Sequence, residues 1–292
     1  MKDMDLIELI TSELKQAPEL NAIALAQVAR EKIGGVKATL FYGSCLRNGI
    51  TPDAIADLYL ITESHTASRQ GRLARFFNII LPPNVVYLEC TVPDGKLRAK
   101  AAILTIDQFT RLTGSGTFHS YFWARFAQPA RIVWAENDLF IKKIANACKS
   151  AIVTFATETH NKLPAKSEVF WTEGFQHTYA AELRAEGPDR PHHIYFSNKQ
   201  RYDFIFDTLV SDPPAFRSTF YRRTLRCWLG KILSVVRLIK GIFTFEGGLD
   251  YIVWKIDRHT GVKVEIKPWH RRFPLIAAPG LAWVVWRRGG FK

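Results

Sequence analysis

Two apolar runs of strand character, residues 37–42 and 57–62, constrain this chain most, because the first stops at Gly43-Ser44 and the second opens on Asp57. A short link between such strands makes them neighbours in one sheet, so the loop after the first lies beside the start of the second. Residues 85–90 and 97–105 read as two further strands joined by the turn Pro93-Asp94-Gly95. Around them lie helical patterns: apolar spacing over residues 6–33, interrupted by Pro18, and a basic stretch over 67–80 closed by Pro82-Pro83. From residue 106 onward the pattern is mainly helical, at 107–112, 120–126, 138–158, 168–185, 199–210, 220–244 and 248–258. The expectation is an α+β protein: a mixed-sheet domain over 1–150, a helical domain over 151–262 and a basic, Trp-rich tail over 263–292.

The net charge of +13 over 292 residues favours an anionic partner, which nucleic acid, an anionic membrane surface or a phosphorylated substrate would each satisfy. Eight tryptophans and twenty phenylalanines suit base stacking and membrane interfaces alike, as well as a core. Cys45, Cys90, Cys148 and Cys227 form no C-x-x-C pair, so neither a structural zinc site nor a disulfide framework is indicated. The acidic start Met1-Lys2-Asp3-Met4-Asp5 has no apolar signal core, and no apolar run reaches membrane-spanning length. A cytoplasmic protein, peripheral at the inner face of a membrane if it meets one, is expected.

Strand, Gly-Ser, then an aspartate-led strand is a pattern suited to phosphate and metal chemistry. Glycine lets backbone approach a phosphate, a serine hydroxyl binds its oxygens, and the aspartate next door holds Mg²⁺. An ordinary turn followed by a capping aspartate would read the same. A second carboxylate two residues on would share the face of Asp57, but that place is Tyr59. Asp53 lies ~13 Å away along a continuous strand, and Glu63 is more distant still. Glu89, inside the apolar run 85–90, is the remaining metal-ligand candidate, or else a surface-facing strand residue. Lys100 is a strand base suited to a triphosphate or leaving pyrophosphate, or else a solvated lysine.

Together these residues resemble the polymerase-beta-like nucleotidyltransferases, and within them the mitochondrial-type phosphatidate cytidylyltransferases of the translocator assembly and maintenance family. The family's Tyr-Gly-Ser-Gly element looks like Tyr42-Gly43-Ser44-Cys45, and its one-aspartate strand looks like Asp57-Leu58-Tyr59-Leu60. Its lysine-led strand, short helix and aromatic-rich stretch are similar to residues 100–104, 106–112 and 121–133. A remote Lys-Gly-Ile-x-Thr-x-Gly block resembles Lys240-Gly241-Ile242-Phe243-Thr244 with Gly247, followed by Tyr251 and Lys255. Cys45 departs from the family's second glycine. Its tryptophan-histidine element has no clear match beyond nearby His65, and the tail after Lys263 lies outside the resemblance. The resemblance implies a mixed sheet with a helical, winged-helix-like second part, Mg²⁺ as cofactor, and transfer of CMP from CTP to phosphatidic acid. In that scheme Asp57 and Glu89 hold the metal, Gly43, Ser44 and Lys240 contact the nucleotide phosphates, and Lys100 stabilises pyrophosphate. An acceptor that is RNA, protein or a small alcohol, and a non-catalytic homologue binding lipid or scaffolding a complex, are the alternatives.

Residues 226–240 are apolar with interspersed bases, and Arg226, Arg237 and Lys240 fall within a ~60° arc of a helix. This is either a buried helix with one basic face or an interfacial helix offering bases to lipid phosphates. Trp269, Arg271, Arg272, Trp283, Trp286, Arg287 and Arg288 in the tail would suit headgroup-level anchoring, or a final packed element with arginines in solvent.

Overall fold

The computed structural model describes residues 5–93, 95–182, 189–245, 247–249, 251–254 and 265–272, together with 280, 283 and 287. It is an α+β fold built on one five-stranded mixed sheet. Helices α1 (Leu6–Leu14) and α2 (Leu20–Ile33) precede β1 (Val36–Tyr42), and Pro18 falls in the break between them. The five-residue α3 (Ser44–Asn48) leads to β2 (Ile55–Thr62), α4 (Arg72–Ile80), β3 (Asn84–Val92) and β4 (Gly95–Thr105). Then come α5 (Ile106–Thr113), α6 (Trp123–Phe126), β5 (Ala130–Ala135), α7 (Asp138–Thr159) and α8 (Ser167–Ala180). The chain continues through α9 (Arg190–Ser197), α10 (Lys199–Ser211), the long α11 (Phe220–Thr244) and α12 (Pro268–Arg272).

The strand order is β3-β4-β2-β1-β5, with β2 and β4 parallel and every other pair antiparallel. Alternation along each strand gives the sheet two apolar faces. Phe41, Leu58, Leu60, Ala99, Ala101 and Ile103 meet α2 on one of them. Leu40, Tyr59, Ile61, Ala102 and Leu104 face the other way, into a core shared with α1, α5, α6 and α7. That core runs on without interruption through Phe155 of α7 to Phe170, Trp171, Tyr202 and Ile205 of α8 and α10.

A boundary at residue 150 would therefore cut α7 in mid-helix and divide one core, because the helix packs the sheet with one part and α8 with another. Three short elements have no counterpart in the expected pattern: helix α3, the edge strand β5 and helix α9. Among the described residues no strand follows β5, so no wing accompanies the later helices. The helix expected over 248–258 is described only as far as Trp254, and most of the tail over 263–292 lies outside the described residues.

Candidate functional site

Register brings the expected residues into one row. Tyr42 at the end of β1 pairs with Asp57, and Asp57 pairs across the parallel β2–β4 ladder with Lys100. Lys100 in turn pairs with Tyr87 on β3. Neighbouring strands lie about 4.8 Å apart, so the carboxylate and the ammonium rise from adjacent positions of one face, the face of Tyr59 and Ala102.

Gly43 turns the chain out of β1 with φ 88° and ψ −157°, in the left-handed half of the map where a side chain is strained. A Cβ built on it would sit 2.9 Å from Asp57 Oδ2, so the glycine is what lets the backbone lie against this carboxylate. Ser44 then opens α3. Cys45, where the resembled family has its second glycine, adopts an ordinary negative φ. Its thiol is buried and donates to the Ile55 carbonyl at 3.3 Å. Burial, and after it the charge of Asp57, raises the Cys45 pKa to about 11, so the thiol stays protonated. Burial likewise lifts the Tyr42 and Tyr59 hydroxyls well above the usual phenol range, with Asp57 adding to both.

The remote block reaches the same row. Gly247, with φ 76°, fits against Tyr87, where a Cβ would come within 3.1 Å of its backbone oxygen. Tyr251 follows, its ring centroid 5.8 Å from that of Tyr87 and 5.3 Å from the Lys100 ammonium nitrogen. Trp254 lies over the Arg98 guanidinium at 5.1 Å. Residues more than 150 positions apart thus share one surface patch over β3 and β4, and Tyr251 forms part of the wall around Lys100.

Two expected residues are placed elsewhere. Glu89 pairs with Arg98, two residues along the ladder from Lys100 and two strands from Asp57, so its Cα lies about 12 Å away by strand spacing. Its carboxylate accepts from Tyr87 Oη at 2.9 Å and Lys96 Nζ at 2.9 Å, with Arg98 Nε at 3.6 Å. That arrangement is an ion cluster on the β3–β4 hairpin and does not bring Glu89 to a metal beside Asp57. Lys240 is only 6% exposed and donates to the carbonyls of Leu81 at 2.7 Å and Pro83 at 2.6 Å. It fastens α11 to the loop before β3, whose first residue pairs with Ile103, so its ammonium is turned away from the Lys100 row. His65 follows the opposite end of β2 and does not join the row either.

A second group near Tyr59 escaped the sequence reading. The Tyr121 ring is held between two guanidiniums, Arg125 at 3.6 Å and Arg237 at 4.0 Å. Arg125 also donates to the Tyr121 carbonyl at 2.5 Å and to Glu182 at 3.0 Å. Burial, partly countered by the Tyr121 hydroxyl, lowers the Arg237 pKa. The four-residue spacing of Tyr121 and Arg125 is the available local signal; the arrival of Arg237 from α11 has none.

Mg²⁺ takes oxygen ligands, keeps several waters and often uses one or two carboxylates plus substrate phosphates. Asp57 beside the Gly43 backbone fits that demand. Among the described residues no group of three or more His, Cys, Asp or Glu stands together as a protein-only metal cage. Among the described residues, too, no helix is long and apolar enough to cross a membrane. No model of a known protein family matches the chain, and no curated protein matches it either.

Proposed function

We propose that the row of Asp57 and Lys100, edged by Gly43-Ser44 and walled by Tyr251, is the centre of a nucleotidyltransferase of the polymerase-beta-like kind. The observation that carries this reading is the contact between Gly43 and Asp57. Open backbone lies directly against a carboxylate, and a strand lysine rises beside it. Phosphoryl chemistry asks for this combination, since positioning and charge neutralisation supply most of its catalysis.

The proposed reaction is attack by an acceptor phosphate oxygen on the α-phosphorus of CTP. A new P–O bond forms to the acceptor, and the bond to the β-phosphate breaks with pyrophosphate leaving. The acceptor is phosphatidic acid and the product CDP-diacylglycerol. Asp57 would hold the Mg²⁺ that neutralises and aligns the phosphates when bound. Gly43 gives the triphosphate access to the backbone, and the Ser44 hydroxyl donates to a phosphate oxygen. Lys100 stabilises charge that accumulates on the leaving pyrophosphate. Tyr251 presents its ring to the Lys100 ammonium and orients it, a cation–π contact of about 0.5–1 kcal/mol at an exposed site. This scheme assigns neither Glu89 nor Lys240 to the chemistry.

The deciding experiment incubates the protein with α-labelled CTP or ATP and, separately, phosphatidic acid, RNA or a protein acceptor. Label in CDP-diacylglycerol supports the reading. Label in RNA or protein with none in lipid replaces the acceptor, and no transfer to any of them removes the enzyme.

A further inference from the structure

Helix α11 is packed inside out. Among its described side chains, those that are buried are Arg226, Lys240 and Thr244. Arg226 pairs with the buried carboxylate of Glu158 and donates to the Phe118 carbonyl at 2.8 Å, while Lys240 serves the two carbonyls before β3. The apolar residues point the other way. Tyr221 is 82% exposed, Trp228 66%, Leu225 and Ile232 54% each, and Ile239 52%. At 100° per residue these five lie within about 60° of one another, and about 140° round from Arg226 and Arg237. A helix of a water-facing domain buries its apolar stripe, and this one exposes it along most of 25 residues.

The helix beside it repeats the inversion. In α4, which packs against α11, the buried residue is Asn78, tied to the Ile103 carbonyl and the Asn84 amide. Leu73 is 60% exposed, Phe76 55% and Ile80 63%, at the i, i+3, i+7 spacing of one face. Polar anchors hold both helices to the body, and each of these two packed helices leaves an apolar face outward. Contiguous exposed apolar surface of this kind marks an interaction site.

Charge selects the occupant. Neither α4 nor α11 contains an aspartate or glutamate, and both carry bases, of which Arg72 and Lys231 are exposed. Packing this face on the same face of a second copy would set like charges against each other. A bilayer with anionic headgroups accepts both features, taking the apolar side chains into its interface while phosphates meet the bases. We propose that the paired faces of α4 and α11 dock this protein in the plane of an anionic lipid surface. The inference needs none of the nucleotide chemistry, because docking is read without nucleotide.

The test sediments the full chain with vesicles of phosphatidylcholine alone and of phosphatidylcholine mixed with phosphatidylglycerol. Binding to the mixed vesicles is expected to exceed binding to the neutral ones, and the variant Phe76→Ser/Trp228→Ser/Ile232→Ser to lose about tenfold or more of it. These side chains are exposed, so circular dichroism and Tm should stay at the wild-type values. Hydrogen exchange on the wild-type chain gives a reading that needs no variant, with vesicle-induced protection expected over residues 72–80 and 220–239. Wild-type protein that ignores anionic vesicles, or protection confined to other segments, would overturn the proposal. So would a wild-type dimer that the variant splits with vesicle binding unchanged, which would give the face to a second copy.

Discussion

Gly43 and Asp57 meet so closely that a single added methyl carbon at 43 would stand 2.9 Å from the Asp57 carboxylate oxygen. Two costs follow from Gly43→Ala: the side chain would be strained at φ 88°, and the carboxylate would have to move. Strain of this kind costs about 1–3 kcal/mol, and displacement of a positioning group by about 1 Å costs on the order of a hundredfold in rate. The variant should remain folded with a lowered Tm and lose at least that much CTP turnover. Turnover at the wild-type rate would show that this contact has no part in the chemistry.

Tyr251 tests whether the remote block belongs to the site. Its ring stands over Lys100 and against Tyr87, and Tyr251→Leu keeps bulk while removing the π face. We expect a fall in kcat with stability changed by less than about 1 kcal/mol. An unchanged kcat in steady-state assays would reduce Tyr251 to packing.

Glu89→Gln should behave as a change on a hairpin surface. Its partner Lys96 is half exposed, so the loss in stability should stay within about 1 kcal/mol, and the Mg²⁺ dependence of nucleotide binding should be that of the wild type. If instead Mg²⁺ dependence disappears, the second metal carboxylate is Glu89 after all.

Lys240 predicts a pH dependence with a definite sign. Burial, followed by the nearby Arg237 charge, lowers its pKa from 10.5 to about 8. Between those values the unfolded chain keeps a proton that the folded one has lost, so this group makes stability rise with pH across that window and contributes no slope below it. Neutral Lys240 still has two N–H donors for the two carbonyls. Lys240→Met removes the rise and leaves those carbonyls unpaired, at about 1–3 kcal/mol each. Urea unfolding from about pH 7 to about pH 10 should show the gap between wild type and variant widening above about pH 8. A gap that stays constant would mean that Lys240 titrates as an ordinary lysine.

Strands β1 to β4 were legible because apolar runs bounded by Gly43 and by the turn at Pro93 mark them locally, and the Tyr42, Asp57 and Lys100 row follows once 37–42, 57–62 and 97–105 are neighbours. The partners of Glu89 were not legible because hairpin register sets them: Tyr87 and Arg98 share its face, and Lys96 reaches it from the turn. Lys240 entered the expected site through the resemblance of its Lys-Gly-Ile block, which says nothing of what its ammonium touches. Here the helix is inverted, and only the positions of Glu158, Leu81 and Pro83 explain why. The cut drawn at 150 followed a change from strand to helix patterning, whereas packing continues through α7 from the sheet to Trp171.

Calorimetric titration of CTP with and without Mg²⁺ decides whether Asp57 and Gly43-Ser44 form a metal-dependent triphosphate site. Binding to the wild-type chain should depend on Mg²⁺, and Asp57→Asn should abolish it while its Tm stays near the wild-type value. Equal binding by the two proteins, or binding indifferent to Mg²⁺, would contradict it.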